Sequence, residues 1–220
     1  MTNEEILSHV DHTLLKATAS WSEIQKIAEE GIKYKTASIC IPPWYVEPVC
    51  EQYRGLNVCT VIGFPLGYST GLAKITEAKI ALGSGASELD MVINIGAVKS
   101  GNFEAVLEEV KALREVARDR ILKVIVETCY LTMEEKIRLC KIVTESGADY
   151  IKTSTGFGSA GATLDDVLLF RMNIGPNVKI KAAGGIKTRE DMAAYLGAGC
   201  DRLGTSSALA ILAGQGAGTY

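Results

Sequence analysis

No run of lysine or arginine in the 220-residue sequence is longer than two residues, and the formal net charge is only −3. A surface built for nucleic acid or an anionic bilayer needs a concentrated basic patch, so neither is expected as a partner. No uncharged apolar stretch reaches the length that spans a bilayer, and the opening MTNEEILSHVDHTLL is acidic, with no basic segment leading an apolar run. Neither a membrane span nor an ordinary signal peptide is expected. The six cysteines, Cys40, Cys50, Cys59, Cys129, Cys140 and Cys200, contain no C-x-x-C pair. With 47% hydrophobic residues the chain needs no disulfide staples. The thiols are read as reduced and the protein as soluble and cytoplasmic.

Several catalytic signatures are missing too. No G-x-G-x-x-G follows an early strand, and there is neither a Walker phosphate loop nor a G-x-S-x-G elbow. The two histidines, His9 and His12, form H-x-x-H on a short strand with no third ligand nearby, so no catalytic zinc is expected, nor any other metal or cofactor.

What is present is a repeated unit. EAKIALGSGASELDMVIN, CKIVTESGADYIKTS and DMAAYLGAGCDRLGTS each read as an amphipathic helix, a glycine beside alanine, a polar residue, and a short apolar strand ending in a polar loop; IQKIAEEGIKYKTASIC is a weaker copy. Counted this way, strands fall at roughly 8–12, 35–41, 57–63, 87–93, 121–127, 149–153, 178–182 and 201–204. Strands alternating with helices make a parallel sheet, and eight of them point to a closed (β/α)8 TIM barrel, an α/β fold, rather than an open doubly wound sheet. One domain over 1–220 is expected, with the glycine-rich AGQGAGTY a flexible tail from about 213 to 220.

Barrel chemistry sits at the C-terminal ends of the strands, which singles out Asp11, Thr13, Cys40, Asp90, Asn94, Glu127, Lys152, Thr153, Lys181, Gly204 and Ser206. Side chains alternate along a strand, so Lys152 opposes Ile151, Lys181 opposes Ile180, and Asp90 lies between Leu89 and Met91. All three are expected to point into the barrel. Lys179 shares that phase but lies deeper or at the strand's entrance, and Lys123 sits early in its strand, away from the active face, as a structural residue. A lysine amine is protonated at neutral pH, and burial with a second ammonium beside it makes it a nucleophile. The plainer alternative is that the lysines pair with Asp90, Asp11 or Glu127 and only hold the barrel together.

An anion site is indicated independently. Gly184 and Gly185 follow strand seven, with Thr188 and Asp191 as a helix cap, and Gly204, Ser206 and Ser207 open the helix after strand eight. Loops in these two places bind phosphate in many barrels, and Gly156 supplies a third wall. Cys40 is either a pocket residue or a buried inert thiol. Trp44 and Tyr45 belong either to an interface or to a packed loop. An isomerase would need a carboxylate base rather than paired lysines. A transaldolase-like transferase and a non-catalytic sugar-phosphate binder remain as other readings.

ELDMVIN, DYIKTSTGFG, IKAAGGI and LGTSS, in that order, with VDHTLL, KVIVET and a C-terminal tyrosine, resemble the deoxyribose-phosphate aldolases over essentially the whole chain. The resemblance implies a metal-free, Schiff-base (class I) aldolase, a carbon–carbon lyase of deoxyribonucleotide catabolism. Such an enzyme reversibly cleaves 2-deoxy-D-ribose 5-phosphate to D-glyceraldehyde 3-phosphate and acetaldehyde. It implies Lys152 as the Schiff-base lysine, Lys181 as its perturbing neighbour, Asp90 and Tyr220 in proton transfer, and the AGG and GTSS loops as the phosphate cradle. A homo-oligomer, dimer or tetramer, is the family habit. Phe157 stands where certain members carry a lysine that reaches the phosphate, and Lys187 where an arginine is often found.

Overall fold

The computed structural model describes residues 1–215. Its strands are β1 Val10–Thr13, β2 Ser38–Ile41, β3 Val58–Ile62, β4 Glu88–Val92, β5 Ile121–Ile125, β6 Tyr150–Lys152, β7 Lys179–Ala183 and β8 Arg202–Thr205. All neighbours are parallel in the order β1 to β8, and β8 pairs with β1 to close the barrel. Helices such as Trp21–Tyr34, Gly71–Gly83, Phe103–Ala117 and Met133–Ser146 connect successive strands. Among the described residues no helix is long and apolar enough to cross a membrane.

The repeat has a backbone cause. A residue with positive φ stands three positions before six of the strands: Lys35, Gly55, Gly85, Arg118, Gly147 and Gly199. Each reverses the chain at the end of a helix so that the next strand enters the barrel, which is why glycine recurs there. Lys35, at φ 51, explains why the copy before β2 looks weaker in sequence. Capping boxes start the helices Met133–Ser146 and Arg189–Gly197, with Thr132 paired to Glu135 and Thr188 to Asp191.

Strand alternation separates two interiors. Outward residues, among them Ile39, Leu89, Met91, Val124, Ile151, Ile180 and Leu203, pack with the helices into the hydrophobic core. Inward positions carry Asp11, Glu88, Asp90, Lys123, Lys152, Lys181 and Arg202, where barrels ordinarily place branched apolar residues.

Several strand ends differ from the sequence reading. The capped helix Asn3–Leu7 delays β1 to Val10, and β5 stops at Ile125 because Glu127 turns to a left-handed φ of 57. β6 has only three residues. β8 ends at Thr205, so Gly204 lies within the strand instead of opening a helix. Of the expected tail only Ala213, Gly214 and Gln215 are described; residues 216–220, Tyr220 included, lie outside the described residues.

Candidate active site

β6 and β7 are aligned so that Lys152 and Lys181 are direct register partners, and β4 and β5 pair Asp90 with Lys123. These pairings converge on one carboxylate. Asp90 Oδ2 accepts from Lys152 Nζ at 2.7 Å and Lys181 Nζ at 2.6 Å, while Oδ1 accepts from Lys123 Nζ at 2.9 Å and the Cys59 thiol at 3.1 Å. Lys181 also donates to Asp11, which Arg202 and the Ser38 hydroxyl hold from the other side. Lys123 and Arg202 share Glu88. The connected network thus contains three carboxylates, Asp11, Glu88 and Asp90, and four basic side chains, Lys123, Lys152, Lys181 and Arg202.

Electrostatics follow from this wiring. Burial would raise the Asp90 carboxyl, but Lys123, Lys152 and Lys181 outweigh it and hold it well below the usual range. Burial likewise opposes the ionised form of Asp11, and Lys181, Lys123 and Arg202 reverse it. Burial disfavours the Lys181 ammonium, yet Asp11 and Asp90 push it well above its ordinary value. Lys181 is therefore a fixed cation. Burial raises the Cys59 thiol well above its ordinary value, in keeping with its role as donor to Asp90.

Above the network lies a cavity of about 410 Å³ lined by Lys152, Thr13, Leu15 and Phe157 together with the loops after β6, β7 and β8. Those loops contribute Gly156, Gly184, Gly185, Lys187, Ser206 and Ser207, and Gly204 lines it from β8. The volume suits a small polar ligand. Gly184 and Gly185 have φ of 78 and 73, and a Cβ on Gly184 would lie 3.1 Å from the Gly161 backbone. Gly204 has a packing reason as well: a Cβ there would meet Lys181 Cε at 3.0 Å. Of the network's lysines only Lys152 reaches the cavity wall; Asp90 and Lys181 lie beneath it.

Four residues expected to line the pocket do not. Asp11 is fully buried under its ion pairs, and Cys40 packs with Leu15, Cys59 and Val61. Asn94 turns its side chain to cap the helix Ile95–Lys99. Thr153 uses its hydroxyl to accept from Ala183 N–H at 3.1 Å, tying β6 to β7. Lys123 is also corrected: it is not remote from the site but holds the far oxygen of Asp90. Its phase with Ile125 along β5 was the available signal. Lys179 is exposed at the strand's entrance, 5.7 Å from the Tyr150 ring centre. His9 and His12 bind the Asp201 carbonyl and Glu30 respectively, away from the site.

Among the described residues two clusters bring possible metal ligands together, Cys40 with Cys59 and Asp90, and Asp11 with Cys59 and Glu88. The Lys123 ammonium contacts every member of the second and two of the first, so a protein cation already serves these groups.

The fold is a (β/α)8 barrel whose centre holds an amine on a shared carboxylate beneath a glycine-walled pocket. A family model described as DeoC/LacD family aldolase matches residues 6–213. Deoxyribose-phosphate aldolase of Clostridium botulinum (strain Alaska E43 / Type E3) is 61% identical over 216 residues, covering 98% of each chain. The enzyme of the same name from Clostridioides difficile (strain 630) is 49% identical over 218 residues, covering 99% of this chain and all of that one. The tetrameric deoxyribose phosphate aldolase of Aeropyrum pernix superposes with a TM-score of 0.89 at 32% identity, over 96% of this chain and 91% of that one. The chain belongs to the DeoC/LacD family of aldolases, which are carbon–carbon lyases.

Proposed function

We propose that this chain reversibly cleaves 2-deoxy-D-ribose 5-phosphate to D-glyceraldehyde 3-phosphate and acetaldehyde through a Schiff base on Lys152. The observation that carries the assignment of the lysine is its position: Lys152 is the one member of the charged network that lines the cavity.

The network holds one more basic group than carboxylates, and a net charge in a buried site is costly. Lys152 has a single carboxylate partner, whereas Lys123, Lys181 and Arg202 each have two or more. Taking Lys152 as the neutral amine balances the network. Its nitrogen attacks the aldehyde carbon of the open-chain sugar, and loss of water leaves an iminium. That cation sits on Asp90 and withdraws electrons, so the C2–C3 bond breaks as the C3 hydroxyl gives its proton, through a water, to the Asp90 carboxylate beside Lys181. Glyceraldehyde phosphate departs, the enamine takes a proton at carbon, and water releases acetaldehyde. With Lys152 neutral, Lys123 and Lys181 keep Asp90 a carboxylate, so that it can take the hydroxyl proton and return it to the enamine.

The phosphate is read into the cradle of Gly156, Gly184, Gly185, Lys187, Ser206 and Ser207, with Lys187 its side-chain cation. Free thiols at all six cysteines favour a cytoplasmic setting. We also propose a homo-oligomer, for which Trp44, 84% exposed, is available, while Tyr45 is committed to the Ala19 carbonyl and to Trp21.

Incubation with acetaldehyde and borohydride, followed by intact-mass measurement and peptide mapping, tests the reading. One reduced adduct on Lys152 is expected. An adduct on Lys181 would exchange the two roles, and no selective adduct at neutral pH would remove the imine mechanism.

A further inference from the structure

We propose that Glu127 is a positioning residue for the phosphate end of the site, shaping the loop after β6 and, through it, the loop after β7; the proposal rests on the reaction given above. Glu127 is 2% exposed and holds a left-handed φ of 57. A long side chain keeps that conformation only where its surroundings over-determine it.

The main partner here is one threonine. The Glu127 carboxylate accepts from Thr155 N–H through both oxygens, at 3.2 and 3.3 Å, and from the Thr155 hydroxyl. With its proton committed to the carboxylate, Thr155 Oγ1 accepts from Phe157 N–H at 3.0 Å. Glu127 thus organises the turn 155–157, all three residues of which line the cavity.

The effect extends to the next loop. A Cβ on Gly158 would lie 2.9 Å from Cys129 Sγ and 3.1 Å from Glu127 Cδ, so the chain passes directly over the carboxyl. A Cβ on Gly161 would lie 2.3 Å from the Gly184 carbonyl, and one on Gly184 would lie 3.3 Å from Gly156 Cα. The Ala162 N–H donates to the carbonyls of Ala183 and Gly184 at 3.1 Å. The two loops therefore meet backbone on backbone, and a shift at Thr155 moves Gly156 against Gly184. Burial raises the Glu127 carboxyl, with Thr155, Lys152 and Cys129 opposing, so its hydrogen bonds offset a real cost of placement.

The test compares steady-state kinetics on 2-deoxyribose 5-phosphate and on 2-deoxyribose, which lacks the phosphate. Glu127→Gln keeps the shape but gives up one acceptor. KM for the phosphorylated sugar is expected to rise about tenfold with kcat little changed, while kcat/KM for 2-deoxyribose stays within about twofold. Gly158→Ala, which pushes the loop off an intact carboxyl, is expected to produce the same split, and serves alone if the first variant does not fold. The double variant should be no worse than the poorer single one. Equal losses on both sugars, or no rise in KM, would overturn the positioning role while leaving the aldolase reading intact. Absence of cleavage by the unsubstituted protein would instead overturn the aldolase reading, and this inference with it.

Discussion

Lys152 and Lys181 occupy the same register position on adjacent parallel strands and donate to the same oxygen, Asp90 Oδ2. Their chemical difference comes from what else each touches. Lys181 has Asp11 as a second partner, whereas Lys152 opens onto the cavity.

Stability and activity should therefore separate between the two lysines. Lys152→Met removes the one basic group in excess of the carboxylates and leaves three carboxylates with three cations, so its melting temperature should hold or rise while turnover and borohydride trapping vanish. Lys181→Met leaves Asp11 and Asp90 short of a partner inside the barrel, and breaking a buried pair costs about 3–5 kcal/mol. Its melting temperature should fall by about 10 °C at this chain length, with turnover nearly lost. Equal destabilisation by both substitutions would contradict the charge count.

Asp90→Asn tests the hub. An amide presents one acceptor where four donors now converge, so its nitrogen must face either Lys123 and Cys59 or the two site lysines. Cleavage should fall by about 100-fold or more, and urea denaturation should report a loss of about 3 kcal/mol or more. Wild-type turnover in a folded Asp90→Asn protein would remove the carboxylate from the mechanism.

How much of this was legible in the sequence depends on how local each feature is. The inward phase of Lys152, Lys181 and Asp90 is a property of single strands, and alternation with Ile151, Ile180, Leu89 and Met91 revealed it. The inward phase of Lys123 could be read from Ile125, but its partner could not, because that depends on the β4–β5 register that sets it opposite Asp90. Arg202, Glu88 and Cys59 were missed for the same reason. Asn94 and Thr153 illustrate the opposite error. Each sits at a strand end where chemistry is expected, yet one caps a helix and the other ties two strands together. The glycines of the cradle were legible as turns, but only packing shows that Gly204 makes room for Lys181.

Phe157 should limit affinity for the phosphate. It lines the cavity and meets Phe64 edge-on at 5.3 Å between ring centres, so an apolar lip stands beside a cradle whose exposed side-chain cation is Lys187. Phe157→Lys should lower KM for 2-deoxyribose 5-phosphate by about threefold to tenfold and make it more sensitive to salt, without helping 2-deoxyribose. Improvement on both sugars alike would mean that the substitution acts by loosening the mouth and not by charge.

The ion network should also show in the pH dependence of stability. Burial opposes the Asp11 carboxylate, but Lys181, Lys123 and Arg202 hold its pKa far below the ordinary 3.8. A carboxyl depressed on folding contributes stability that is complete above its unfolded pKa and is lost as pH falls through the folded one. Lys181 is shifted the other way, above 10.5, so its contribution is complete below that pH and is lost only as pH rises beyond it. Thermal melts of the unsubstituted protein and Asp11→Asn should accordingly differ by a constant margin from about pH 9 down to about pH 4 and converge only in stronger acid. Convergence already between pH 7 and 5 would mean that the Asp11 carboxylate is not held by the three cations around it.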